Sequence, residues 1–248
     1  MFTEIGKAEA GPPTARRRAR GRPPGRTLRG EQTRRRLYQT AVRLIAARGW
    51  QATTLREIAR EAGVSVGLLY RYFPSKRAVV LALYDELSAT YAARAADLPP
   101  GRWRDRFSHA LRTSLQVLDP HRDTLAALVP VLVGDPDEGL FAPRTAFSRL
   151  RVEAVFVRAV AGATDPPRGA LGPALGRLLY LLHLAVLLWW LLDKSPQQHA
   201  TRALLVLLER GLRLAAPALR VPGVPGWLVA ADALVRESLF GEASGQHT

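Results

Sequence analysis

Residues 53–80 read TTLREIAREAGVSVGLLYRYFPSKRAVV, and this stretch decides the fold. Thr54 and Glu57 stand three apart at the head of a short apolar stripe, Leu55, Ile58, Ala59 and Ala62. That spacing is a capping box, in which the Thr and Glu side chains satisfy each other's free backbone donors. Gly63 supplies a tight turn, and Ser65 can cap a second short helix from Val66 to about Tyr72. Pro74-Ser75 then punctuates the chain before a longer helix from Lys76 to about Ala96. Residues 54–72 therefore read as short helix, turn, short helix, the sequence form of a helix-turn-helix. The second helix of such a unit fits the major groove of DNA, and its helix starts offer N–H groups to phosphates.

Upstream, Leu37, Ala41, Leu44 and Ile45 fall on one helical face, with Arg34, Arg35, Arg36 and Arg43 largely off it and Gly49 as a natural stop. Residues 1–30 are rich in Pro, Gly and Arg and nearly free of large apolar side chains. Such a segment cannot bury enough surface to offset its ordering entropy, so it reads as a disordered basic arm. Within it, Arg20-Gly21-Arg22-Pro23 resembles an AT-hook core, a strip that places Arg20 and Arg22 in a narrow minor groove. A nonspecific electrostatic arm is the alternative reading of the same residues.

The charge distribution agrees. The formal net charge is +15. Residues 1–78 hold 18 Lys and Arg against 5 Asp and Glu, whereas residues 79–248 hold 18 against 16. GC-rich codon usage accounts for Arg in place of Lys, but not for an excess confined to one end. A polyanion bound at that end does account for it.

Residues 33–80, about a fifth of the chain, resemble the DNA-binding head of TetR-like (tetracycline-repressor-like) bacterial transcriptional regulators, and the matching run is 53–80. The shared pattern is a Thr opening the second helix, then A-x-x-A-G-V-S, a small residue, L-Y-x-Y-F, and a Lys after the next turn. By that resemblance Thr54, Arg56, Val66, Gly67, Leu68, Tyr70, Arg71, Tyr72 and Lys76 are the DNA-contacting residues. Thr54, Tyr70, Tyr72 and Lys76 would meet phosphates, and Val66, Gly67 and Leu68 would face base edges. Those last three carry no hydrogen-bonding side chain, so base readout there is limited to apolar contact such as thymine methyls. Arg71, Arg56 and DNA shape are left to carry much of the specificity.

The rest of the chain reads as helices with Pro and Gly breaks: about 102–118, one capped by Asp119-Pro120, 143–161, 174–193 and 228–240. Between the last two, Ser195-Pro-Gln-Gln198 reads as a helix start, with Ser as cap and Gln at the third helical position. No stretch alternates as a strand, so the fold class is all-α. Residues 178–192, LLYLLHLAVLLWWLL, are apolar except for His183. A helix apolar all round has to be buried somewhere. Paired with the following helix it makes half of a four-helix bundle across a two-fold axis. The expected dimer interface is Leu182, Val186, Trp189, Trp190, Leu204, Leu205, Leu208 and Leu212. A membrane anchor at 174–192 is the rival of another class, although the apolar run falls short of the roughly 20 residues a span needs.

The resemblance also implies a ligand cavity in the body. Its candidates are Trp103, Phe107, Phe141, Phe147, Phe156, Tyr180 and His183. No metal site or cofactor is expected, because the histidines lie on separate segments and the chain has no Cys. No phosphate loop, nucleophile elbow or HExxH is present, so an enzyme is not the reading. The expectation is a basic arm (1–30), a helix-turn-helix head (31–78) and an effector-binding, dimerising body (79–248). Its partners would be a double-stranded DNA operator, a second copy of the chain and an unknown small molecule. No apolar signal core opens the chain, and the resemblance implies a cytoplasmic, nucleoid-bound regulator. A DNA-binding regulator without ligand control is the nearest rival.

Overall fold

A computed structural model describes residues 28–137 and 139–241. Every regular element among them is helical. The head comprises α1 (Leu28–Ala52), α2 (Leu55–Glu61) and α3 (Val66–Tyr72). It leads into α4 (Lys76–Arg94). The body continues with α5 (Trp103–Leu118), α6 (Arg122–Ala127), α7 (Val129–Gly134), α8 (Ala146–Ala161) and α9 (Leu171–Leu192). It ends with α10 (His199–Ala215) and α11 (Val224–Phe240).

Local chemistry accounts for the head. Glu57 N donates to Thr54 Oγ1 at 3.2 Å, and Thr54 N donates to Glu57 Oε2 at 3.0 Å, so both halves of the capping box form. Gly63 turns the chain at φ 64°. Ser65 Oγ accepts from Leu68 N to open α3, and Ser75 Oγ accepts from Ala78 N to open α4. The apolar face of α1 (Leu37, Ala41, Leu44, Ile45) closes on Ile58, Ala59, Leu69 and Phe73 in one buried cluster.

Several boundaries differ from the sequence expectation. The helix starts at Leu28, inside the segment read as a disordered arm; the remainder of the arm, with Arg20 and Arg22, lies outside the described residues. Gly49, at φ 81°, breaks α1 as expected, and a short turn then carries it on to Ala52. Asp119-Pro120 forms a single 3-10 turn, after which two short helices, α6 and α7, follow where one was expected. The start of α10 is not a Ser195 capping box. Gln197 and Gln198 take positive φ, and Asp193 holds the corner by accepting from Ser195 N, Thr201 N and Thr201 Oγ1. These bonds hold its carboxyl well below the usual carboxylate range.

Two cores are joined through α4. Val79, Val80, Leu83, Tyr84 and Leu87 enter the head cluster, whereas Tyr91 and Ala95 enter the body cluster of α5, α8 and α9. Phe107 and Phe156 are fully buried there, each contributing about 1.5–3 kcal/mol by its burial. The helix α9 is the centre of the body, against α8, α11, α5 and α6. At Gly176 the backbones of α8 and α9 approach so closely that a Cβ would stand 2.7 Å from Val157 Cα. α9 is long and apolar enough to cross a membrane, at mean hydropathy 1.8. Ten of its residues are nevertheless buried, and His183 in its middle is tied to Ser114 of α5.

Arginines lock the helix ends. Arg106 donates to the carbonyls of Leu98, Pro99, Arg158 and Ala159, where α8 ends and the chain leaves α4. Arg177 Nε donates to Asp232 Oδ1 at 2.7 Å, a paired contact that fixes α11 on α9.

Candidate nucleic-acid interface and ligand cavity

The exposed side of α3 is short, apolar and rimmed with charge. Val66, Gly67, Tyr70 and Arg71 are exposed, as are Thr54 and Arg56 at the start of α2; Leu68 and Tyr72 are half-buried, Tyr72 against the head core. A Cβ on Gly67 would meet nothing within 4 Å, and its φ is not positive, so neither packing nor backbone geometry within the chain demands glycine there. The Ser65 cap leaves the N-terminal end of α3 beside these residues. Arg43 and Arg48 are paired with Glu61 and Glu57, each at 3.3 Å, whereas Arg56, Arg60 and Arg71 are exposed cations on α2 and α3.

Two residues taken for phosphate ligands are placed otherwise. The Thr54 hydroxyl spends its proton on Glu57 Oε2 at 3.0 Å, so as a donor it is committed to the cap. The Lys76 ammonium donates to the carbonyls of Trp50 at 2.7 Å and Thr53 at 3.1 Å and lies 4.1 Å from the Trp50 ring centre. It closes the C-terminal end of α1, where unsatisfied carbonyls attract a cation. Burial there pulls its pKa below the ordinary lysine value. Sequence spacing could not show this, because the partners lie 23 and 26 residues away.

Residues 37–83 match the family model described as bacterial regulatory proteins, tetR family. Over these residues the chain resembles that family. A relative from Aromatoleum sp. (strain CIB), the HTH-type transcriptional regulator HbdR, is 32% identical over 95 residues, 38% of this chain and 42% of the relative. The HTH-type transcriptional regulator BetI of Rhizobium meliloti (strain 1021) is 36% identical over 100 residues, 38% of this chain and 47% of the relative. The chain thus spans less than half the length of these curated relatives. Among solved structures, a tetR-family transcriptional regulator from Streptomyces coelicolor has a TM-score of 0.58 at 25% identity, covering 82% of this chain and 88% of that one. A TetR transcriptional regulator from Nitrosomonas europaea has a TM-score of 0.51 at 22% identity, over 75% of this chain and 98% of that one, and shares the fold.

The body holds a cavity of about 360 Å³ between α4, α5, α6, α8 and α9. Of the aromatics expected there, Phe141, Tyr180 and His183 line it. Trp103, Phe107 and Phe156 do not; they are packed in the body core, where flat rings fill the gap between α5 and α8. Phe147 is exposed and points elsewhere. The lining adds residues the sequence reading did not reach: Tyr84, Ser88 and Tyr91 of α4, Ser114 of α5, Leu125 of α6 and Arg149 of α8. Polar residues interrupting apolar helical stripes were the only available signal.

One wall is polar. His183 Nε2 and Ser114 Oγ share a 2.8 Å hydrogen bond, while buried His183 Nδ1 and the Tyr91 hydroxyl have no hydrogen-bond partner. The Tyr91 ring stacks parallel to His183, 6.2 Å between centres. Burial pushes His183 down to about 3, so its imidazole is neutral at neutral pH, and burial pushes the Tyr91 and Tyr180 hydroxyls up. No group of three or more metal-ligating side chains exists among the described residues.

The expected dimer face also needs correction. Val186 and Trp190 are buried within the protomer, Trp190 in the core beneath the head. Leu182, Leu204, Leu205, Leu208 and Leu212 are partly buried against the body core. Trp189 remains about half exposed. Val206, Leu207 and Leu214 on α10 and Trp227, Leu234 and Leu239 on α11 are among the exposed apolar side chains.

Proposed function

We propose that this protein is a homodimeric, sequence-specific DNA-binding transcriptional repressor, released from its operator by a small molecule bound in the body cavity. The observation that carries the DNA-binding reading is the exposed α3 face, with Tyr70 and Arg71 beside an open Gly67 on a helix whose core side is locked by Leu69. Tyr70 and Arg71 meet backbone and base edges, and the apolar Val66 and Leu68 read shape and thymine methyls. Arg56 joins them from α2.

The dimer reading is supported by the unpartnered face of α10 and α11. Leu207, Leu214, Trp227 and Leu234 are each at least two-thirds exposed. Large apolar side chains this exposed on two successive helices suit a surface covered by a second copy. Two copies joined there present two heads, which read half-sites about 34–36 Å apart or a multiple of that.

Ligand control is supported by shared helices. α4 carries the head on its N-terminal half and lines the cavity with Tyr84, Leu87, Ser88 and Tyr91. From α6, Thr124 Oγ1 donates to the Val42 carbonyl of α1 at 3.3 Å, and Leu125 lines the cavity. Arg122 donates to the carbonyls of Trp190, at 3.0 Å, and Asp193, at 2.8 Å, at the end of α9. A ligand that prefers one setting of α4 and α6 changes the head spacing, and it weakens DNA binding only by that preference. Selection of bound sites from random duplexes tests the first claim; enrichment of a two-fold symmetric site is expected. Equal recovery of all sequences contradicts it.

A further inference from the structure

The cavity holds one charged group whose chemistry is unfinished. Arg149, on α8, is more than nine-tenths buried and lines the cavity. Its Nε and Nη1 atoms are buried without a hydrogen-bond partner. The carboxylate paired with it, Glu153, stands 3.8 Å away, beyond hydrogen-bond length. Glu153 is not among the cavity-lining residues. The guanidinium carbon lies 4.0 Å from the centre of the Phe240 ring. That contact holds the planar cation by its face and leaves its N–H edge for a coplanar acceptor.

A buried guanidinium with idle donors is costly, and a carboxylate is the group whose two oxygens match its fork. The rest of the lining is overwhelmingly leucine, valine and aromatic side chain. At about 30 Å³ for each water-sized atom, 360 Å³ accommodates on the order of a dozen heavy atoms.

We infer that the cavity takes an apolar monocarboxylate of about that size, such as an arylalkanoate or medium-chain alkanoate, with its carboxylate on the guanidinium of Arg149. This rests on the reading of the cavity as the effector site, and it names the effector's chemical class.

The probes are 4-phenylbutyrate, the neutral 4-phenylbutan-1-ol and the cationic 4-phenylbutylammonium. Each is titrated calorimetrically into the full-length wild type, Arg149→Met and Arg149→Lys. A hydrogen bond to a charged group predicts that the acid binds at least about tenfold more tightly than the alcohol. Arg149→Met removes that preference and leaves alcohol affinity within about twofold, while Arg149→Lys, which keeps the charge without the fork, retains part of it. If Arg149→Met does not fold, the wild-type acid-to-alcohol ratio and its reduction in Arg149→Lys decide. An alcohol or ammonium that binds as tightly as the acid overturns the inference. So does a preference that survives in Arg149→Met, or no acid binding at millimolar concentration. DNA release by the same probes is scored separately. Acid binding that leaves DNA affinity unchanged refutes effector control and keeps the ligand class, whereas release by the alcohol alone keeps effector control and refutes the class.

Discussion

Lys76 Nζ and Trp50 meet twice, through a 2.7 Å hydrogen bond to the Trp50 carbonyl and a 4.1 Å approach to the centre of the indole ring. The lysine at the start of α4 thereby fastens the end of α1 and fixes the angle at which the helix-turn-helix leaves the body.

A fastening role and a phosphate role predict different outcomes. Lys76→Met loses charge-assisted hydrogen bonds worth about 1.5–3 kcal/mol, which lowers the melting temperature of the free protein. Its DNA affinity falls through head misorientation, with the slope of log affinity against log salt unchanged. A slope reduced by about one, with stability intact, assigns the ammonium to a phosphate instead.

Gly67 separates folding from binding. With open space at its Cβ, Gly67→Ala stabilises α3 by about 0.5–1 kcal/mol, read by thermal or urea unfolding. The same methyl faces the groove and weakens operator binding. A variant that is both more stable and fully competent for DNA removes Gly67 from the interface.

His183 gives the body a pH signature. Its folded pKa is depressed to about 3 against an ordinary value of 6.5, so the unfolded chain binds the extra proton. Its contribution is fully present above pH 6.5 and is lost as pH falls from there toward 3, by about 1.4 kcal/mol per pH unit. Urea unfolding between pH 7 and 5 shows this loss for the wild type, and a shallower one for His183→Gln, in which the carboxylates still titrate. Parallel pH profiles for the two proteins contradict a neutral, buried His183.

The assembly face is equally open to test. Leu214→Asp and Trp227→Asp place charge on the exposed α10 and α11 surface and should convert the proposed dimer to monomer by sedimentation, with the helical circular dichroism preserved. Trp190→Ala, in the interior, lowers stability by about 3–5 kcal/mol. Unchanged sedimentation in both aspartate variants places the interface elsewhere.

The head was legible because its signals are local. The capping box at Thr54 and Glu57, the Gly63 turn and the Ser65 cap act within a few residues of themselves, and the α3 limits follow from them. The body was legible only as helices. Whether an apolar residue of α9 faces a core or a partner depends on where α8 and α11 pack, and Val186 and Trp190 look no different in sequence from Trp189. The cavity residues were hidden for the same reason. Ser114 and His183 are 69 residues apart, and nothing short of the packing of α5 on α9 brings them together. The Asp193 corner replaced the Ser195 capping box because two residues with positive φ reset the register between them.

The most direct measurement of the central claim is the enrichment of random duplex DNA by the purified full-length protein, wild type against Arg71→Ala, at about 100 mM salt. The wild type should enrich a two-fold symmetric site with half-site centres about one helical turn, or a multiple of it, apart. Arg71→Ala should lose about 1–3 kcal/mol on that site and relax its sequence preference. A wild type that enriches no sequence, or an Arg71→Ala protein that enriches the same site with the same affinity, contradicts α3 as the reading helix.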